Sequence, residues 1–301
     1  MQHRLRMRDI INLAAPQTWA ASVMPGVLAL AISFREQGFI RHDLAACLFA
    51  AAVLMQSAVN TLNDYADFVK GTDTTENSPD ASDAVIVYGL KPRTARNLGI
   101  GFLAAALIPG LYTVFRCGAA PLIIGLIGAL TIAAYSAGRI PVSYLPLGEI
   151  VSGFVMGGLI PLAGVQMQTG KLSFSVLVEA LPIIIGIGMI MFTNNGCDIE
   201  KDRNAGRKTL ACLLGKETVR QVYRIVLIIW ALCPLLIYLF ERKQDTALVY
   251  LLCSLAALHL YAKQFRTPLG PETRSMMMAG ITTLVVINGF ACAFAVVIGT
   301  G

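Results

Sequence analysis

Asn60-Thr61-Leu62-Asn63-Asp64-Tyr65-Ala66-Asp67 closes one long apolar run, and Asn194-Asn195-Gly196-Cys197-Asp198-Ile199-Glu200-Lys201-Asp202 closes another. Each stretch sets an Asn four residues before an Asp, and each is followed by a polar loop carrying Lys and Arg. A carboxylate drawn from such a boundary toward the bilayer centre costs about 2.5–3.5 kcal/mol, so acids placed there mark function. At 100° per residue, Asn60, Asp64 and Asp67 fall within an arc of about 60°, and Asn194, Asp198 and Asp202 within about 80°, with Gly196 placed to loosen the second turn. Each helix end then offers one amide and two carboxylates on one face. If the two faces converge, four negative charges meet at a low-dielectric boundary, which requires bound cations or raised pKa values. Carboxylate oxygens are the ordinary setting for Mg2+, usually shared with substrate phosphates. The adjacent Lys70, Lys91, Arg93, Lys201, Arg207 and Lys208 suit a diphosphate. At the mouth of an apolar bundle, such a site fits a diphosphate with a lipid tail.

The rest of the chain supplies that bundle. Of its 301 residues 56% are hydrophobic and 14% charged, and the mean hydropathy is +0.66. This excludes an ordinary soluble domain and makes lipid the solvent for most of the surface. A hydrocarbon core needs about 20 apolar residues per helix. The expected fold is therefore an all-α integral membrane protein with nine transmembrane helices, near 14–34, 44–64, 97–115, 119–137, 148–166, 174–195, 219–240, 245–261 and 276–298. Arg4, Arg6 and Arg8 precede the first run without a small-residue cleavage site, which reads as a cytoplasmic N-terminus. With that orientation only Arg35, Arg41, Arg116, Lys171, Arg242 and Lys243 lie outside, leaving 18 of the 24 basic residues on the cytoplasmic side. Both acidic motifs then sit at the cytoplasmic ends of even-numbered helices, an arrangement that hints at duplication. The expected organisation is one domain over 1–301, in two motif-bearing halves of about 1–137 and 138–301. The loop at 68–96 is long enough to fold over the site as a lid.

Other chemistry is thinly represented. The seven cysteines form no CxxC pair and read as small buried hydrophobes. His3, His42 and His259 make no metal cluster. A cation transporter or channel with the Asp residues as its filter is the non-enzymatic alternative. It would need polar residues across the whole span, and between the motifs and the far side only Gln56 and Glu179 stand out among Ser and Thr.

At these residues the chain resembles the UbiA superfamily of intramembrane aromatic prenyltransferases. Asn60-x3-Asp64-x2-Asp67 with Lys70-Gly71-x-Asp73, and Asn194-Asn195-x2-Asp198-Ile199-Glu200-x-Asp202 with Gly206-Arg207-Lys208-Thr209-Leu210, match the two Asp-rich signatures. The second stretch, together with Tyr135-Ser136-Ala137-Gly138, Pro141, Tyr144 and Leu147-Gly148-Glu149, looks most like the 1,4-dihydroxy-2-naphthoate prenyltransferases (MenA type) of menaquinone synthesis. The resemblance implies nine helices around a central cavity with cytoplasmic cap loops, in a bacterial inner membrane. It also implies Mg2+, an isoprenyl diphosphate donor and an aromatic acceptor, with no nucleic acid involved. It assigns Asn60, Asp64, Asp67, Asn194, Asp198 and Asp202 to Mg2+ and diphosphate. Asn63, Asn195, Lys70, Lys91, Arg93 and Lys208 join them in substrate binding. Tyr135 falls near the reacting allylic carbon, and Arg139 at the acceptor carboxylate. The acceptor stays open among 1,4-dihydroxy-2-naphthoate, 4-hydroxybenzoate, homogentisate, haem and glycerol phosphate, with prenyl cyclisation a further possibility.

Overall fold

The structure, a computed structural model, describes residues 4–74, 85–138 and 140–299. Among these residues all regular structure is helical. The helices are α1 Met7–Ala14, α2 Ala20–Gln37, α3 His42–Val69, α4 Pro92–Cys117, α5 Ala120–Ser136, α6 Gly148–Thr169, α7 Leu181–Cys197, α8 Ile199–Asn204, α9 Leu210–Leu214, α10 Lys216–Phe240, α11 Gln244–Arg266 and α12 Arg274–Ile298. Every expected apolar segment is helical. By length and composition, however, six helices among the described residues can cross a membrane (α3, α4, α6, α10, α11 and α12), or seven if the bent pair α1 and α2 is one span. The nine-span count is not reached on that criterion because α5 and α7 have only 17 residues each. Large apolar side chains face outward around the bundle, Phe115 at 87% and Phe240 at 90% exposed. Water would penalise that surface and lipid does not.

The first span differs most from expectation. The segment near 14–34 is not one helix: Met7–Thr18, which ends in a short 3-10 turn at Pro16–Thr18, meets α2 at 53°. Ala15 takes the left-handed conformation at φ 48°, and Pro16 then starts the turn where its missing N–H costs nothing. The break frees carbonyls that lipid cannot satisfy, and α3 satisfies them. Asn60 Nδ2 donates to Ala14 O at 2.9 Å, and Thr61 Oγ1 donates to Leu13 O at 3.1 Å. The entry helix is thus fastened to the helix that carries the first motif.

The second motif is positioned by close packing of α6 on α7. A Cβ on Gly153 would stand 2.7 Å from Ile184 O, and one on Gly157 would stand 2.6 Å from Ile184 Cα. Only hydrogen allows this approach. A π turn at Val155–Leu159 falls in the same stretch of α6. On the other flank of α7, Trp230 of α10 packs against Gly186 and donates its Nε1–H to Pro182 O at 2.7 Å. The turn before α7 is held by Glu179, whose carboxylate accepts both Nη groups of Arg35 at 2.6 and 2.9 Å. A small second core gathers Leu13, Val85, Ile86, Leu90 and Ala95 against Tyr65 and Phe68, so the described C-terminal part of the expected lid loop packs on α1, α3 and α4. Residues 75–84 of that loop lie outside the described residues.

Candidate functional site

A cavity of about 1090 Å³ occupies the bundle, walled by α3, α4, α5, α6, α7 and α12. Along α3 its lining runs from Cys47 to Asp67, a distance of about 30 Å at 1.5 Å per residue. One end is charged: Asp64, Asp67, Asp73, Asp198, Asp202, Lys201, Arg207 and Arg274 all line it. The remainder is largely apolar, with Leu103, Leu107, Ile124, Ile132, Leu159 and Ile160 among its walls.

The first motif stays helical to Val69, about one turn past the expected end, so Asn60, Asn63, Asp64 and Asp67 share one continuous helix. The second does not. Helix α7 ends at Cys197, Asp198 occupies the joint at φ −106° and ψ 20°, and Asp202 rides on the short α8. The single-helix run assumed for Asn194, Asp198 and Asp202 is therefore interrupted at Asp198, two residues after Gly196, although Asp198 N still donates to Asn194 O and Asp202 N to Asp198 O. All six motif residues, together with Asn63 and Asn195, line the cavity.

Arg207 joins the two motifs. One of its Nη atoms contacts Asp67 Oδ1, and the other reaches Asp202 Oδ1 at 3.3 Å. Asp67 is completed by Asn63 Nδ2 at 3.1 Å. Lys201 reaches across to Asp73 at 2.9 Å. Arg274, at the start of α12, donates Nε to Asp198 Oδ2 and Nη2 to Asn194 Oδ1, both at 2.9 Å. Asn195 donates to the buried carboxylate of Glu149 at 2.9 Å. Burial pushes the Asp202 carboxyl up to about 6, although Arg207 pulls the other way. For Arg207 burial opposes the charge, but the carboxylates of Asp67 and Asp202 prevail and hold its pKa above the ordinary range.

The basic residues singled out from sequence fare unevenly. Lys70 lies outside the cavity lining: its Nζ donates to Ser136 O at 3.0 Å and sits 5.0 Å from the centre of the Tyr144 ring. Lys91, Arg93 and Lys208 are exposed and do not line the cavity. Lys91 is the residue before Pro92 and precedes α4, while Lys208 contributes its backbone N–H to Tyr144 O at 2.9 Å. Arg139 lies outside the described residues. Tyr135 lines the cavity, its hydroxyl 3.3 Å from Met191 Sδ. Asn60 lines the cavity too, with Nδ2 on Ala14 O and Thr18 Oγ1 and Oδ1 accepting from Gln56. Arg274 and Glu149 were not singled out for the motif contacts they make. Arg274 lies 76 residues from Asp198, so no sequence proximity signals their contact.

Among the described residues no three His, Cys, Asp or Glu side chains stand ready-made around a metal position. The donor set nevertheless suits a hard divalent cation in kind. Every motif ligand is oxygen, and Asp202 Oδ2 is buried without a hydrogen-bond partner among the described residues. The Arg207 guanidinium stands between the two motifs.

Comparison with known proteins accords with this geometry. A model of the UbiA prenyltransferase family matches residues 22–284. A 1,4-dihydroxy-2-naphthoate octaprenyltransferase of Bacillus subtilis is 34% identical over 209 residues, 68% of this chain and 66% of that protein. A UbiA prenyltransferase domain-containing protein 1 of Gallus gallus is 29% identical over 215 residues, 70% of this chain and 63% of that protein. The chain thus spans just under two thirds of the length of these two relatives. A UbiA homologue from Archaeoglobus fulgidus, solved with GPP and Mg2+, superposes with a TM-score of 0.66 over 95% of this chain and 99% of its own, at 16% identity.

Proposed function

The chain belongs to the UbiA prenyltransferase family, and on that premise we propose that it transfers a prenyl group from an isoprenyl diphosphate to an aromatic acceptor in the membrane. One observation carries this reading. Two Asn/Asp motifs from distant parts of the chain meet across Arg207 at the charged end of a cavity whose other walls are apolar. A diphosphate belongs at the first end and a prenyl tail along the second. The acceptor we assign is 1,4-dihydroxy-2-naphthoate, from the name of the Bacillus subtilis relative. We also place nine spans in a bacterial inner membrane, with α5 and α7 as short crossings and the motifs on the cytoplasmic side.

Asp64, Asp67, Asp198 and Asp202 would hold Mg2+, with Asn194 beside them, while Asn60 fixes the first motif through Ala14 and Thr18. When bound, the ion supplies positive charge against the leaving diphosphate. Arg207, Arg274 and Lys201 bring further cationic donors to the same oxygens. The allylic C–O bond breaks with its electron pair going to the diphosphate. Tyr135 lines the chamber where the allylic carbon would lie, and its electron-rich ring steadies the developing cation. The acceptor ring carbon forms the new C–C bond, and CO2 leaves from that carbon, returning its electron pair to the ring. The apolar walls keep out water, which would otherwise quench the cation to an alcohol.

The test supplies membranes containing the protein with Mg2+, prenyl diphosphates of several lengths, and naphthoate, hydroxybenzoate and homogentisate acceptors, and weighs the products. Prenylated naphthol with CO2 released in equal amount is the expected result. Transfer to hydroxybenzoate alone overturns the acceptor, and transport of cations without any product overturns the enzyme.

A further inference from the structure

Arg207 holds a position that the proposed chemistry needs for something else. Its guanidinium contacts Asp67 and Asp202 at once, one carboxylate from each motif. Asp67 has its second oxygen on Asn63, while Asp202 keeps Oδ2 buried and unpartnered among the described residues. A divalent ion held by the same two carboxylates would draw on the negative charge that Arg207 now neutralises, and the two cations would repel each other at that distance. The described charged end bears five aspartates against Lys201, Arg207 and Arg274, so removing Arg207 without replacement would leave carboxylates facing one another.

Arg207 also has a contact that does not involve the carboxylates. Its Cζ lies 5.2 Å from the centre of the Tyr144 ring, and Lys70 Nζ lies 5.0 Å from the same centre. Tyr144 is itself tied to both halves. Its carbonyl accepts the Lys208 N–H at 2.9 Å, and its hydroxyl is 3.4 Å from Thr72 Oγ1. A ring fixed in this way offers a cation a resting face that does not depend on the carboxylates.

We propose that Arg207 is an exchangeable counter-ion: it keeps the two motifs together before substrate arrives, yields their carboxylates to the divalent ions, and pivots over Tyr144 to bind the diphosphate. This rests on the reading of the site as a metal-diphosphate centre. It adds that metal alone must compete with Arg207, whereas metal with diphosphate recruits it.

The probes are Mn2+ and inorganic pyrophosphate, with binding followed by titration calorimetry on the purified full chain in detergent. In Arg207→Gln, Mn2+ alone should bind about tenfold more tightly than in wild type, because its competitor is gone. Pyrophosphate in the presence of Mn2+ should bind about ten- to hundredfold more weakly, because a charge-assisted donor is gone. Arg207→Lys keeps the charge but not the two-pronged reach, and both effects should be smaller. A merely structural role would weaken both ligands together. Mn2+ binding in Arg207→Gln that is unchanged or weaker, while wild type binds Mn2+ with pyrophosphate, overturns the exchange alone. Wild type that binds no Mn2+ even with pyrophosphate overturns the metal-diphosphate reading beneath it. Should Arg207→Gln not fold, Arg207→Lys carries the same opposed-sign test.

Discussion

Replacing Gly157 by Ala should disturb chemistry from well down the membrane. The added Cβ would lie 2.6 Å from Ile184 Cα and 2.8 Å from Ile184 N. Both are backbone atoms, so no side-chain rotation relieves the clash. Ordinary carbon contacts lie near 3.5–4.0 Å, so α6 and α7 must separate by about 1 Å. Overpacking of this kind costs about 1–3 kcal/mol, and at roughly 2–4 °C per kcal/mol the melting temperature in detergent should fall by about 2–12 °C. The activity loss should be proportionally larger. Helix α7 carries Asn194 and Asn195 and leads into Asp198, and a displacement of about 1 Å at a reacting centre can cost about a hundredfold in rate. The matched control is Gly101→Ala in α4, where the new Cβ meets nothing within 4 Å. Thermal melting of both variants by tryptophan fluorescence, with prenyl transfer measured on the folded fraction, decides the matter. If Gly157→Ala melts and turns over like Gly101→Ala, the idea that glycine contacts set the position of the second motif is wrong.

Three further outcomes follow from the site. Asp64→Asn and Asp198→Asn should each lower turnover at least about a hundredfold while eluting as folded monodisperse protein; near-wild-type rates in either would remove the carboxylates from the chemistry. Asp202, with its folded pKa raised by burial to about 6 against about 3.9 unfolded, weakens the metal-free fold as pH rises from about 4 to 6, the charged form being the disfavoured one. Mg2+ needs that charged form, so the melting-temperature gain from Mg2+ should grow between pH 5 and 7.5, and a gain that is flat with pH would refute the assignment. Glu179→Gln should cost about 3 kcal/mol by stranding the half-buried Arg35, seen as a lower melting temperature with kcat/KM of the folded fraction unchanged; a selective loss of rate would show that this far-side pair serves the reaction.

Much of the fold was legible because lipid enforces it. Eight of the nine apolar runs contain one main helix, the first being broken near Pro16, and the paired Asn and Asp motifs both line the cavity. What escaped was whatever depends on one segment meeting another. The break at Ala15 had a local signal in Pro16, but the chain could only break there because Asn60 and Thr61 wait on α3 to cap the loose carbonyls. The cations that touch the motif acids could not be ranked by sequence distance. Lys70 and Lys208 follow the motifs closely yet lie outside the cavity lining, whereas Arg274 arrives from the start of the last helix. The joint at Asp198 was half visible in Gly196, since glycine loosens a helix just before it.

The clasp between Asn60 and Ala14 also bears on how loss-of-function data at this motif should be interpreted. An asparagine in an Asp-rich signature invites the assumption that it serves the ion, yet here its amide splices two pieces of membrane-embedded chain. A dead variant at position 60 therefore speaks first about insertion and assembly.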